Sequence, residues 1–170
     1  MKRRVPTIDI FKDRRVDLSA VGVSTSLPDY SLAMALNLHF KLGLENRALG
    51  EPFWEDQTIW RYSVYDGAQE SGEGVYLVSN TNCNTAENSD TEPASLFETQ
   101  SSKRLINSAK HWDYFIICEN QEFALDLEHE LKHKNHITTA QFFDLASVLN
   151  KTETQLLYAF IYDAQQEKQH

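Results

Sequence analysis

Hydrophobic and polar positions follow a different period in successive stretches of the chain, and each stretch predicts an element. Asp17 to Val23 becomes β-branched towards its end and reads as a first strand. Leu32, Ala33, Leu36 and Phe40 then recur at helical spacing, predicting a helix over about Leu27 to Leu42 that stops at Gly43. Ser26 suits its N-cap, and Asp29, three residues on, completes a capping-box-like pair at the positive end of the dipole. From Thr58 the period falls to two. Trp60, Tyr62 and Val64 share one face with Arg61 and Ser63 on the other, and Val75 to Ser79 is a second such run. The stretch DGAQESGEG between them is too long for a tight hairpin and predicts a mobile antiparallel connection.

In the second half, Thr81 to Ser95 is polar and nearly without apolar residues, so a flexible loop is expected there, the main part of an insertion at about 81–101. Leu105 to Lys110 predicts a short helical turn. Trp112 to Cys118 is apolar on both faces except at Asp113, the pattern of a central strand. Glu122 to Lys134 is amphipathic, with Phe123, Leu127 and Leu131 as its core stripe. Ile137 to Phe143 fits an edge or penultimate strand, while Ala140 to Leu149 fits a helix equally well. Thr152 to Gln155 reads as a capping box for a last helix carrying Leu156, Leu157, Phe160 and Ile161 on one face. This order predicts an α+β domain over residues 16–165: a single, largely antiparallel sheet with helices packed on one face, and within that class a ferredoxin-like split βαβ core.

Composition narrows the function classes. The chain has 170 residues, 41% of them hydrophobic and 24% charged, which suits one soluble globular domain. No apolar run reaches the ~18 residues of a membrane span, and the basic start MKRRVPTIDIFKDRR lacks the apolar region of a signal peptide. The expected location is the cytoplasm, with Cys83 and Cys118 as reduced thiols. A net charge of −9 disfavours nucleic acid overall. The exception is the basic arm 1–15, where Lys2, Arg3, Arg4, Lys12, Arg14 and Arg15 could contact RNA or an acidic protein.

Two segments, VGVSTSLPDYSLAMALN and LINSAKHWDYFII, resemble the bacterial IPExxxVDY family. Gly22, Val23, Ser24, Ser26, Leu27, Asp29, Tyr30, Ala35, Leu36 and Asn37 match its opening strand, turn and helix. Tyr76, Leu77, Val78, Ser79 and Asn80 match a later strand, and Ile106, Asp113 and Tyr114 match the name-giving motif. Asn107, Ser108 and Trp112 replace its Pro, Glu and Val. The resemblance runs from about Val16 to Leu157 and implies a fold and a compartment, but no reaction.

Candidate chemistry is sparse. The pairs Asp29-Tyr30 and Asp113-Tyr114 could orient a ligand or move a proton, but helix capping and backbone hydrogen bonding account for the carboxylates more simply. His129-Glu130-Leu131-Lys132-His133 matches the H-E-x-x-H zinc motif, with Glu153 or His136 as a third ligand. Against it, the core stripe of that helix turns both imidazoles towards solvent. No cofactor loop and no other catalytic set is present. The function expected is non-catalytic binding of a protein partner or small ligand, with Trp60, Tyr62, Asp113 and Tyr114 as candidate contacts beside Trp54, Tyr65 and Tyr76 on or near an open sheet face. A zinc-dependent hydrolase and RNA contact through the arm are the alternatives. Burial alone already ranks two substitutions: in urea denaturation Asp29→Asn should cost ~0.5–1 kcal/mol, and Phe115→Ala ~3–5 kcal/mol.

Overall fold

The computed structural model describes residues 18–47, 53–55, 58–60, 62–82 and 103–166. In chain order these form β1 (Ser19–Thr25), α1 (Asp29–Phe40), β2 (Glu45–Arg47), β3 (Phe53–Glu55), β4 (Thr58–Trp60), β5 (Val64–Ala68) and β6 (Gly74–Ser79). There follow β7 (Tyr114–Cys118), α2 (Gln121–Lys132), β8 (Ile137–Asp144), α3 (Leu145–Val148) and α4 (Lys151–Gln166). Six strands make one sheet in the order β2-β5-β6-β7-β1-β8, and β3 pairs separately with β4.

Every pairing in the large sheet is antiparallel. Because β7 separates β1 from β6, those two strands run parallel, with α1 in the connection between them. Likewise β1 separates β7 from β8, and α2 makes that crossover. Two interleaved split βαβ units result, so the expected α+β class holds with a ferredoxin-like core at β8-β1-β7-β6. Strands β5 and β2 widen the sheet beyond it.

The helices α1 and α2 share one face, where Leu32, Ala33, Leu36, Ala124, Leu127 and Leu131 close over Val21, Val23, Leu77, Ile116 and Cys118. The opposite face is covered as well. Leu157 and Ile161 of α4, with Leu105, Ile106, Ala109 and Trp112 of the segment before β7, bury Ala20, Val64, Val78, Phe115 and Ile117. A strand buried on both sides must be apolar at successive positions, as Phe115 to Cys118 are. The sheet edges are tied down by charge. Arg47 on β2 pairs with Asp66 and donates to the Ile161 carbonyl at 3.2 Å, while Glu128 of α2 accepts the Phe142 N–H of β8.

Several local expectations shift. α1 starts at Asp29 with Pro28 at its N-cap and no side-chain cap, so the Ser26–Asp29 box does not form. Ser31 and Leu32 donate to the Pro28 carbonyl, and Asp29 Oδ1 accepts the Tyr30 N–H at 2.8 Å, still satisfying one free donor of the first turn. The helix ends at Phe40, two residues early, through left-handed Lys41, and Asn37 holds the exit by exchanging two hydrogen bonds with the Leu44 backbone. Asn120 caps α2 by accepting from Phe123 N at 3.0 Å. The last box lies at Asn150 and Glu153, two residues before the expected start of one. Strands β5 and β6 extend to Ala68 and Gly74, leaving only residues 69–73 in the turn. Ala140 to Leu149 splits between strand and helix at Asp144, whose carboxylate caps α3. Residues 1–17 and most of the expected insertion, including Cys83, lie outside the described residues.

Gly22 shows how one face is closed. A Cβ there would stand 2.5 Å from the Trp112 ring, so the indole lies directly on the strand backbone. Gly22→Ala should therefore destabilise the fold by ~1–3 kcal/mol through overpacking. In a Trp112→Ala background the same change should be nearly neutral, and a double-mutant cycle by urea denaturation measures the coupling.

Candidate functional site

Among the described residues, a dense polar cluster lies where β1 ends and β7 begins. Asn80, directly after β6, is fully buried. Its Nδ2 donates to the carbonyls of Trp112 at 2.9 Å, Ala109 at 3.1 Å and Ile106 at 3.5 Å, and its Oδ1 accepts the Ile106 N–H at 2.7 Å. Its backbone N–H donates to Asp113 and its carbonyl accepts from Leu105. One amide thus closes the whole turn between Leu105 and Trp112.

Asp113 extends the network to the other strand. Its Oδ2 accepts Ser24 Oγ at 3.2 Å and Thr25 N at 3.0 Å, and its Oδ1 faces Arg104 Nη1 at 3.2 Å. Arg104 also donates to Thr81 Oγ1 and the Trp112 carbonyl. Tyr114 donates its hydroxyl to the Leu27 carbonyl at 2.9 Å. Burial, with Asp29 and Asp113 nearby, pushes that phenol up to about 12. It stays protonated at neutral pH and has no free role as a base. These groups satisfy one another, so the cluster anchors the strand-to-helix turn before α1.

The other expected site residues do not converge. Tyr62 is 1% exposed and donates to the Lys103 carbonyl at 3.2 Å, and Tyr65 and Tyr76 are also buried. Their rings complete the core rather than present a face. The side chains of Trp54 and Trp60 lie outside the described residues. His129 and His133 are exposed, with ring centroids 5.0 Å apart, and Glu130 pairs with His39 at 3.4 Å. Glu153 lies across the sheet from α2, where its carboxylate accepts from Ser108 N and Oγ. Burial alone would raise the Glu153 carboxyl, but the Ser108 and Asn150 hydrogen bonds hold it below the usual range. It is no third ligand for the α2 imidazoles. Among the described residues no group of three His, Cys, Asp or Glu side chains could hold a metal ion. Cys118 is buried on the sheet, which pushes its thiol up to about 12.

One surface feature does stand out. Tyr30, Met34 and Leu38, four residues apart on α1, are 65%, 57% and 80% exposed. The helix is apolar on both sides, with Leu32, Ala33 and Leu36 facing the sheet. An inward-only reading of the apolar spacing passes over this second stripe, although the absence of Asp, Glu, Lys and Arg from residues 30–40 was its visible trace.

Comparison of the chain with protein-family models, with curated proteins and with solved structures gives no match in any of the three. Among the described residues no helix is long and apolar enough to cross a membrane.

The Asn80 network makes a sharp prediction. Asn80→Ala strips partners from several buried backbone groups and should cost about 2–4 kcal/mol. Asn80→Asp places a carboxylate against three carbonyls and should be at least as damaging, measured by urea denaturation.

Proposed function

We propose that this chain is a cytoplasmic, non-catalytic protein-binding module related to the IPExxxVDY family, and that it docks its partner on the outer face of α1. The observation that carries this reading is the Tyr30, Met34 and Leu38 stripe, three large apolar side chains left in water on a helix with no Asp, Glu, Lys or Arg among residues 30–40. Exposed apolar surface gathered on one element is what interfaces are made from. The polar cluster around Asp113 and Tyr114 supports the same reading indirectly, because its groups are occupied in holding the helix start. Asp113 and Tyr114 then act as positioning residues rather than contacts. The location accords with an unpaired, buried Cys118 thiol.

Site-specific photocrosslinking in cells tests the proposal. Benzoylphenylalanine at Leu38 should give an adduct of defined mass, while the same probe at exposed Lys151, on α4 across the sheet, should give none. Equal labelling at both positions, or none at Leu38, would remove the α1 face as a docking surface.

A further inference from the structure

Resting on that reading, we propose that the occupant of the α1 face is a second copy of this chain, its α1 packed antiparallel on the first across a two-fold axis near Met34. Tyr30, Met34 and Leu38 form one ridge of the kind that interdigitates between helices. The ridge is symmetric about its middle member. Rotation about an axis at Met34 brings Met34 onto its own copy and sets Tyr30 of each chain against Leu38 of the other. Such self-complementarity is what a two-fold interface requires. Ala35, exposed beside Met34, lets the two backbones approach closely.

Charge favours the same arrangement. A chain of net charge −9 should repel its copy over most of its surface, yet residues 30–40 carry no Asp, Glu, Lys or Arg. The charges flanking that stretch are opposite, Asp29 at one end and Lys41 at the other. The antiparallel arrangement puts the Asp29 end of each helix against the Lys41 end of its partner. A parallel one would set like charges together. The two helix dipoles also oppose in the antiparallel arrangement.

Area sets the strength expected. At their exposures the three ridge side chains offer roughly 400 Å² per copy, taking 150–250 Å² for a large side chain. With Leu27, Ser31, Ala35 and the Lys41 stem, both copies together would bury about 1,200 Å², the low end of specific interfaces. An interface of that size belongs to the weak, reversible class, so the dimer should be populated at about 100 µM and separate on dilution.

Cysteine crosslinking tests the geometry directly. In a Cys83→Ser background, Met34→Cys should form a disulfide dimer with copper-phenanthroline, while Tyr30→Cys and Leu38→Cys should each stay largely monomeric. An equal mixture of those last two should crosslink at about half the initial rate of Met34→Cys, because random pairing sets the two variants together in half of the dimers. Sedimentation velocity at about 100 µM should show a dimer for the unmodified chain and a monomer for Leu38→Asp, with circular dichroism unchanged because the residue is exposed. A monomer at that concentration with no Met34→Cys crosslink would overturn the proposal. Self-crosslinking of Tyr30→Cys and Leu38→Cys without the mixed product would overturn the antiparallel arrangement. Either result leaves the binding reading to the cellular crosslink, where an adduct other than twice the chain mass identifies a different partner.

Discussion

The amide of Asn80 sits at the junction of β6, β7 and the turn that precedes β7, and the neighbouring structure is stacked on what it holds. It gathers the carbonyls of Ile106, Ala109 and Trp112 into one turn. That turn presents the Trp112 ring to Gly22 and closes one face of the sheet. It also delivers Asp113 to the end of β1, where the carboxylate takes the Thr25 N–H and the Ser24 hydroxyl. Two residues on, the Leu27 carbonyl receives the Tyr114 hydroxyl, and α1 begins at Asp29. The start of α1, and so of its exposed ridge, is tied to a chain of polar contacts, buried at Asn80 and half-buried at Asp113 and Tyr114, that begins at one side chain. Inside a protein such contacts gain from the low dielectric when complete and are costly when broken.

Much of the fold was legible because burial imposes period. Phe115 to Cys118 read as a central strand, since only a strand covered on both faces needs apolar residues at every position. Leu127 and Leu131 marked the buried side of α2, and Leu32, Ala33 and Leu36 that of α1. What stayed illegible was long-range. Asn80 looks like an ordinary residue after a strand, and nothing local says that its amide meets a turn more than twenty residues on. Ser26 and Asp29 had the right spacing for a cap, but it is Thr25 Oγ1 that takes the Leu27 N–H in the turn, and the chain enters α1 through Pro28. Tyr62 shared its apolar face with Val64, and only the placement of α4 and the turn across the sheet shows that this face is covered core rather than an open binding surface.

The same distinction governs the candidate site. His129 and His133 carry a motif whose meaning depends on a third group, and Glu153 is held by Ser108 across the sheet. Carboxylates and phenols that looked available for chemistry, Asp113 and Tyr114 above all, are committed to backbone partners. Among the described residues, the large exposed apolar side chains gathered on one element are Tyr30, Met34 and Leu38 of α1. A helix in such a state gains most by association, and the ridge depends on the Asn80 network for its placement.

Native-state hydrogen exchange at the Ile106 amide measures that dependence most directly, because this N–H donates to Asn80 Oδ1 inside the turn. If the network is the constraint on which the turn and α1 rest, Ile106 should exchange only through global unfolding, with a protection free energy equal to that of the central β7 amides and falling in step with theirs as denaturant is added. Exchange of Ile106 through a local opening, orders of magnitude faster than β7 and insensitive to denaturant, would show that the turn moves independently and would contradict the account.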